Sequence, residues 1–168
     1  MLTYLQLESG AFVEASDRFF VVEPDALIPD GGGVILPLAR LEADGQRLLD
    51  EGRPLGVMLQ PEETVEALAY DLPRLAVVAL QFPKYRDGRP YSSAVLLRTR
   101  FGFTGEVRAV GDVLREQARE MVRCGFDAFV PCDGSSAGDW AVAAGHYRHV
   151  YQRSADLRTP AFVERSDV

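Results

Sequence analysis

The chain has 168 residues, a net charge of -7 and a pI near 4.9. Acidity of this size argues against a nucleic-acid backbone or an anionic membrane surface as the main partner, and no apolar run approaches the length of a membrane span. Hydrophobic residues at 47% and charged residues at 26% fit one soluble globular domain with its own core.

The start, Met1 to Glu8, lacks the basic residues and apolar stretch of a signal peptide, so a cytoplasmic location is the default expectation. Residues 1–32 read as an irregular N-terminal segment, with Phe19 to Val22 as a short candidate strand. Gly31-Gly32-Gly33 precedes a strand, the wrong side for a phosphate-binding loop.

An α/β domain is expected over residues 33–152. Val34 to Leu38 is a candidate strand, Leu41 to Asp50 a short helix and Leu55 to Leu59 a continuously apolar strand. Pro61 suits the first turn of a helix whose inward face carries Val65, Leu68 and Leu72. Leu75 to Leu80 is the next strand. After a polar turn, Ser92 or Ser93 is placed to cap a helix carrying Ala94, Leu97 and Phe101. Glu106 to Val110 follows as a strand, then a helix capped by Asp112 and ended by Gly125, then a strand over Phe126 to Val130. A last helix is expected from Asp139 to Tyr151, and residues 153–168 read as a polar, loose tail.

Strands alternating with helices predict an α/β fold with a mainly parallel sheet of five to six strands. Two arrangements satisfy the pattern: an open three-layer sheet and a partial TIM-like barrel with sequential strands. The second would leave exposed edges that favour a homodimer.

In a parallel sheet, ligands gather where strands end and helices begin. Three such junctions carry candidate site residues. Lys84, Arg86 and Arg89 place three cations on one turn at a helix start, where free N–H groups and the helix dipole already favour an anion. Tyr85 and Tyr91 can frame a flat ligand, and Ser92 adds a hydroxyl. The competing reading is a solvated loop whose arginines pair with acids such as Asp87. Asp112 is either a ligand acceptor or base, or only a cap. Cys132 is either a reactive thiol or a thiol at the core rim. The three junctions should share one edge and form a concave, electropositive patch. His146 and His149 read as a solvated helix face, so no metal site is expected, and no cofactor signature is evident: the chain contains no G-x-G-x-x-G after a strand, no Walker loop and no H-E-x-x-H. Two cysteines, Cys124 and Cys132, neither build a disulfide framework nor hold an iron–sulfur cluster.

The run Arg86 to Ala94, then Leu96-Leu97-Arg98, then Arg108 to Gln117, then Arg123 to Phe129 and the closing Tyr151-Gln152 resembles a bacterial family known as domain of unknown function 934. The matching positions are Arg86, Asp87, Gly88, Arg89, Tyr91, Ser92, Gly111, Asp112, Arg115, Gln117, Cys124, Gly125 and Asp127. The resemblance implies a role beside assimilatory sulfite reductase, as an accessory protein or as an oxidoreductase. It brings no agreed catalytic residues. Candidate partners are therefore a small oxyanion and sulfite reductase. An enzyme with an unrecognised site at the same edge and a protein-interaction module are the alternatives.

Overall fold

A computed structural model describes residues 3–165. Eight strands form one sheet: β1 (Thr3–Glu8), β2 (Ala11–Ser16), β3 (Phe19–Val21), β4 (Gly33–Pro37), β5 (Leu55–Leu59), β6 (Val77–Phe82), β7 (Glu106–Gly111) and β8 (Ala128–Phe129). Their order across the sheet is β2-β1-β8-β7-β6-β5-β4-β3. From β3 to β8 every neighbouring pair is parallel and sequential, whereas β1 runs antiparallel to both β2 and β8. The helices are α1 (Leu38–Asp50), α2 (Arg89–Thr99), α3 (Ala118–Cys124), α4 (Ala137–Gly145) and α5 (Ala161–Glu164).

The expected strand count of five to six is corrected to eight. The segment expected to be irregular supplies the difference. Its two strands hide from a search for βα units because the hairpin turns tightly at Ser9 and Gly10, both with positive φ, and has no helix to announce it.

Sequential order with crossovers of one hand puts all the helices on one face. The large core joins strand residues Val34, Leu36, Val57, Leu80, Val107 and Phe129 to helix residues Leu48, Leu97, Met121 and Trp140. The alternate strand residues, Ile35, Val77, Ala79 and Val110, form a second cluster with no helix against it. An open three-layer sheet is thereby excluded. The second cluster is nevertheless dry, because the sheet curls and one wall covers the other. Only Asp17 and Arg18 separate β2, at one edge, from β3, at the other. Three Cα–Cα steps span at most roughly 11 Å, so the two edges meet there. The separated, exposed edges on which the dimer expectation was founded are drawn together.

Other local differences have simple causes. The helix expected after Pro61 is two short 3-10 turns, Val65–Leu68 and Leu72–Arg74, the second carrying Pro73, which cannot continue a helix. α4 starts earlier than expected, where Ser136 and Asp139 form a capping box, and ends at Gly145. The tail is anchored rather than loose over part of its length: Arg123 in α3 pairs with Asp156 at 3.3 Å and donates to the Gln152 carbonyl. Among the described residues no helix is long and apolar enough to cross a membrane.

Candidate functional site

The turn after β6 holds most of the predicted residues, and Asp87 organises its second half. The Asp87 carboxylate accepts the Arg89 backbone N–H at 3.1 Å, so it, and neither Ser92 nor Ser93, satisfies the start of α2. Pro90 follows in the first turn, where its missing N–H costs nothing. The Arg89 guanidinium grips the same carboxylate with Nε at 3.0 Å and Nη2 at 2.6 Å, and its Nη1 reaches Glu62 at 3.0 Å. These bonds hold the Asp87 carboxyl below the usual carboxylate range. Arg89 is thus neutralised by two acids. The expected three-cation patch is corrected to two: among the described residues, exposed Lys84 and Arg86 meet no carboxylate.

The three junctions do meet at one edge. Asp112 accepts the Tyr85 backbone N–H at 2.8 Å through one oxygen, and the Cys132 thiol lies 3.6 Å from the other. Asp112 is therefore no helix cap. That task falls to Gln117, whose side-chain oxygen accepts the Leu114 N–H at 2.8 Å before the 3-10 turn Arg115–Gln117 leads into α3. The Gln117 amide also donates to the Tyr85 carbonyl at 2.7 Å and to the Tyr91 hydroxyl at 3.2 Å. Tyr85 is consequently fixed by its N–H and its carbonyl while its ring stays 56% exposed.

Gln117 is the residue that reading the sequence passed over as a candidate. Its signal was a buried-side glutamine three positions after Leu114, the place from which a side chain reaches back to a helix start.

Tyr91 packs partly into the core. Its ring stands edge-on to Phe82 at 5.3 Å and to Phe126 at 6.2 Å, and burial pushes its hydroxyl above the usual tyrosine range. Ser92 is exposed beside a shallow recess that it shares with Tyr91, Val95, Leu96 and Cys124. The Cys132 thiol is pushed up by desolvation and by Asp112, which opposes the thiolate a nucleophile needs. His149 faces Glu164 at 2.9 Å, and α4 ends before both histidines, so they do not share a helix face. Among the described residues no cluster of metal-ligating side chains occurs.

Several positions of the family resemblance hold the frame beneath this edge. Arg98 donates to the carbonyls of Phe103 and Gly105 at 2.7 Å each, to that of Gly125 at 2.9 Å and to Asp127 at 2.7 Å. Gly125 ends α3 with φ of 100°, and a Cβ there would lie 2.5 Å from the Arg98 side chain.

On the inner face of the sheet, Glu106 bonds Arg108 and accepts from the Tyr4 hydroxyl at 3.3 Å. Burial outweighs the pull of Arg108 and pushes the Glu106 carboxyl above the usual carboxylate range. A carboxyl raised in the folded state binds its proton more tightly there than in the unfolded chain. Its stabilising contribution is present below the unfolded value and is lost as pH rises through the folded one. The thermal midpoint of Glu106→Gln should therefore fall less than that of the native chain as pH rises across this window. Parallel melting curves would contradict the assignment.

No curated protein matches the chain. A family model described as a bacterial protein of unknown function, DUF934, matches residues 56–162. That span covers most of the chain, from β5 through α4 and into α5, and includes Arg86, Asp112, Gln117 and Cys132. The chain belongs to the DUF934 family.

Proposed function

We propose that the protein is an accessory component of assimilatory sulfite reduction that binds a small oxyanion at the carboxyl edge of its parallel strands. One observation carries the reading of the site: Lys84 and Arg86 are exposed cations without a carboxylate partner among the described residues, on a turn whose Tyr85 backbone is held by Asp112 and Gln117. A fixed turn loses little entropy on binding, and a guanidinium offers an oxyanion two parallel bonds. The pathway is supported by the family resemblance. Arg89, engaged by Asp87 and Glu62, belongs to the frame and not to the ligand.

The exposed Tyr85 ring between the two cations favours a second reading, in which the same turn docks on an acidic surface of the reductase.

The test is growth of a deletion strain on sulfate, sulfite or sulfide as sole sulfur source. Rescue by sulfide alone places the defect at sulfite reduction. The double variant Lys84→Ala/Arg86→Ala should then fail to complement, since each lost charge-assisted bond costs roughly 1.5–3 kcal/mol of binding. Its unfolding free energy should stay within about 0.5 kcal/mol of the native value. Full complementation by this double variant would reduce the turn to a solvated loop. Titration of the purified protein with sulfite separates the two readings, because docking alone gives no sulfite isotherm.

A further inference from the structure

Arg108 lies in the middle of β7 on the inner face, and its side chain is 1% exposed. Its Nη1 and Nη2 donate to the two oxygens of Asp17 at 2.6 and 3.2 Å. Its Nε donates to Glu106 at 2.5 Å. The guanidinium also lies 4.3 Å from the centre of the Tyr4 ring. Glu106 is on the same strand, but Asp17 and Tyr4 come from the N-terminal segment. Asp17 in turn accepts the Phe19 backbone N–H at 3.0 Å, so one carboxylate fixes both the link between the sheet edges and the buried cation.

The ladders at either end of that segment are short. β1 meets β8 through two residue pairs, Leu5 with Phe129 and Gln6 with Ala128. β3 meets β4 through three. A bidentate, desolvated ion pair between them is stronger than an exposed one, and breaking it strands a charge where water cannot reach. The pair also joins chain outside the family match to chain inside it, since the match begins at residue 56.

We infer that Asp17 and Arg108 form a clasp that holds the curled sheet shut, and that its release frees β1, β2 and β3 together as one strap while the parallel ladder from β4 to β8 remains. The open form uncovers the inner apolar cluster of Ile35, Val77, Ala79 and Val110. Two amides on opposite edges of the sheet report the strap: Leu7 N–H, bonded to the Asp127 carbonyl at 2.8 Å, and Val22 N–H, bonded to the Ile35 carbonyl at 2.9 Å. A shared opening gives them one exchange free energy, below that of the β6–β7 ladder.

Native-state hydrogen exchange on the full chain tests this without any substitution. Leu7 and Val22 should exchange with matching protection, and both earlier than the amides paired between β6 and β7. Unequal protection of the two, or protection equal to the central ladder, overturns the clasp. Trypsin gives a second measure, because exposed Arg18 lies within the link. Asp17→Asn should speed cleavage after Arg18 by at least about tenfold. The triple variant Asp17→Leu/Glu106→Gln/Arg108→Met, which removes both acids with the cation and leaves no charge stranded, should be cleaved more slowly than Asp17→Asn. Cleavage of Asp17→Asn at the native rate, or faster cleavage of the triple variant, refutes the inference. If Asp17→Asn fails to fold while the triple variant folds, the stranded charge is the cause and the clasp stands.

Discussion

Gly111→Ala should lose more than about 3 kcal/mol of folding free energy. Gly111 closes β7 with φ of 95°, a conformation that an L side chain adopts only under strain. A Cβ built there lies 2.3 Å from the Phe82 carbonyl oxygen and 2.6 Å from the Gln81 amide nitrogen. The first of these is backbone in the neighbouring strand and cannot swing aside. The close approach places the next residue, Asp112, where its N–H donates to the same Phe82 carbonyl at 2.8 Å and its carboxylate meets Tyr85. The substitution should thus disturb the candidate site as well as the fold. Against a total stability of about 5–15 kcal/mol, the loss is large enough to read directly from denaturant midpoints. Gly138→Ala is the natural control. It lies inside α4, its new Cβ meets only the Ser136 hydroxyl at 3.7 Å, and removing a helical glycine should stabilise by roughly 0.5–1 kcal/mol. A Gly111→Ala midpoint beside that of the native chain would mean that the strand end relaxes freely.

Trp140→Ala should cost about 3–5 kcal/mol, the usual loss for a large buried aromatic ring. Trp140 is fully buried, 4.8 Å from the Phe129 ring and 5.8 Å from the Phe12 ring, with its indole N–H donating to Ser135 at 2.9 Å. Phe12 belongs to β2, Phe129 to β8 and Trp140 to α4. One side chain therefore joins the N-terminal hairpin to the end of the parallel series. It is the chain's single tryptophan, so the variant must be followed by circular dichroism. Trp140→Phe should recover much of the loss, because a ring still fills the space. Equal losses for both variants would point to the indole hydrogen bond instead of the volume.

The parallel core was legible because its strands advertise themselves. Val34 to Leu38, Leu55 to Leu59 and Leu75 to Leu80 are apolar at nearly every position, as strands covered on both faces must be. The N-terminal hairpin was not legible. Gln6, Glu8 and Glu14 keep these strands from reading as the continuous apolar runs of the parallel core, and the turn uses Ser9-Gly10. Similar reasons governed the site. Position at strand ends brought Lys84, Asp112 and Cys132 to one edge, since topology alone decides that. Which arginine stands free depended on Glu62, distant in sequence, and on Asp87 choosing Arg89 over Arg86. The Asp17–Arg108 pair was invisible for the same reason: nothing local to either residue names the other.

The strand order also bears on how the chain assembles. Each ladder from β3 to β8 closes over one short crossover, so these pairings form early and in succession. β1 must instead find β8, whose paired residues Ala128 and Phe129 lie about three quarters of the chain further on. On the ribosome the hairpin emerges before the parallel strands, yet its partner strand emerges after all of them. The hairpin's apolar Leu5, Leu7 and Phe12 therefore wait, uncovered, until β8 and Trp140 arrive. Docking of the hairpin should therefore follow formation of the parallel ladders, and a nascent chain stalled before Ala128 should display these residues to chaperones.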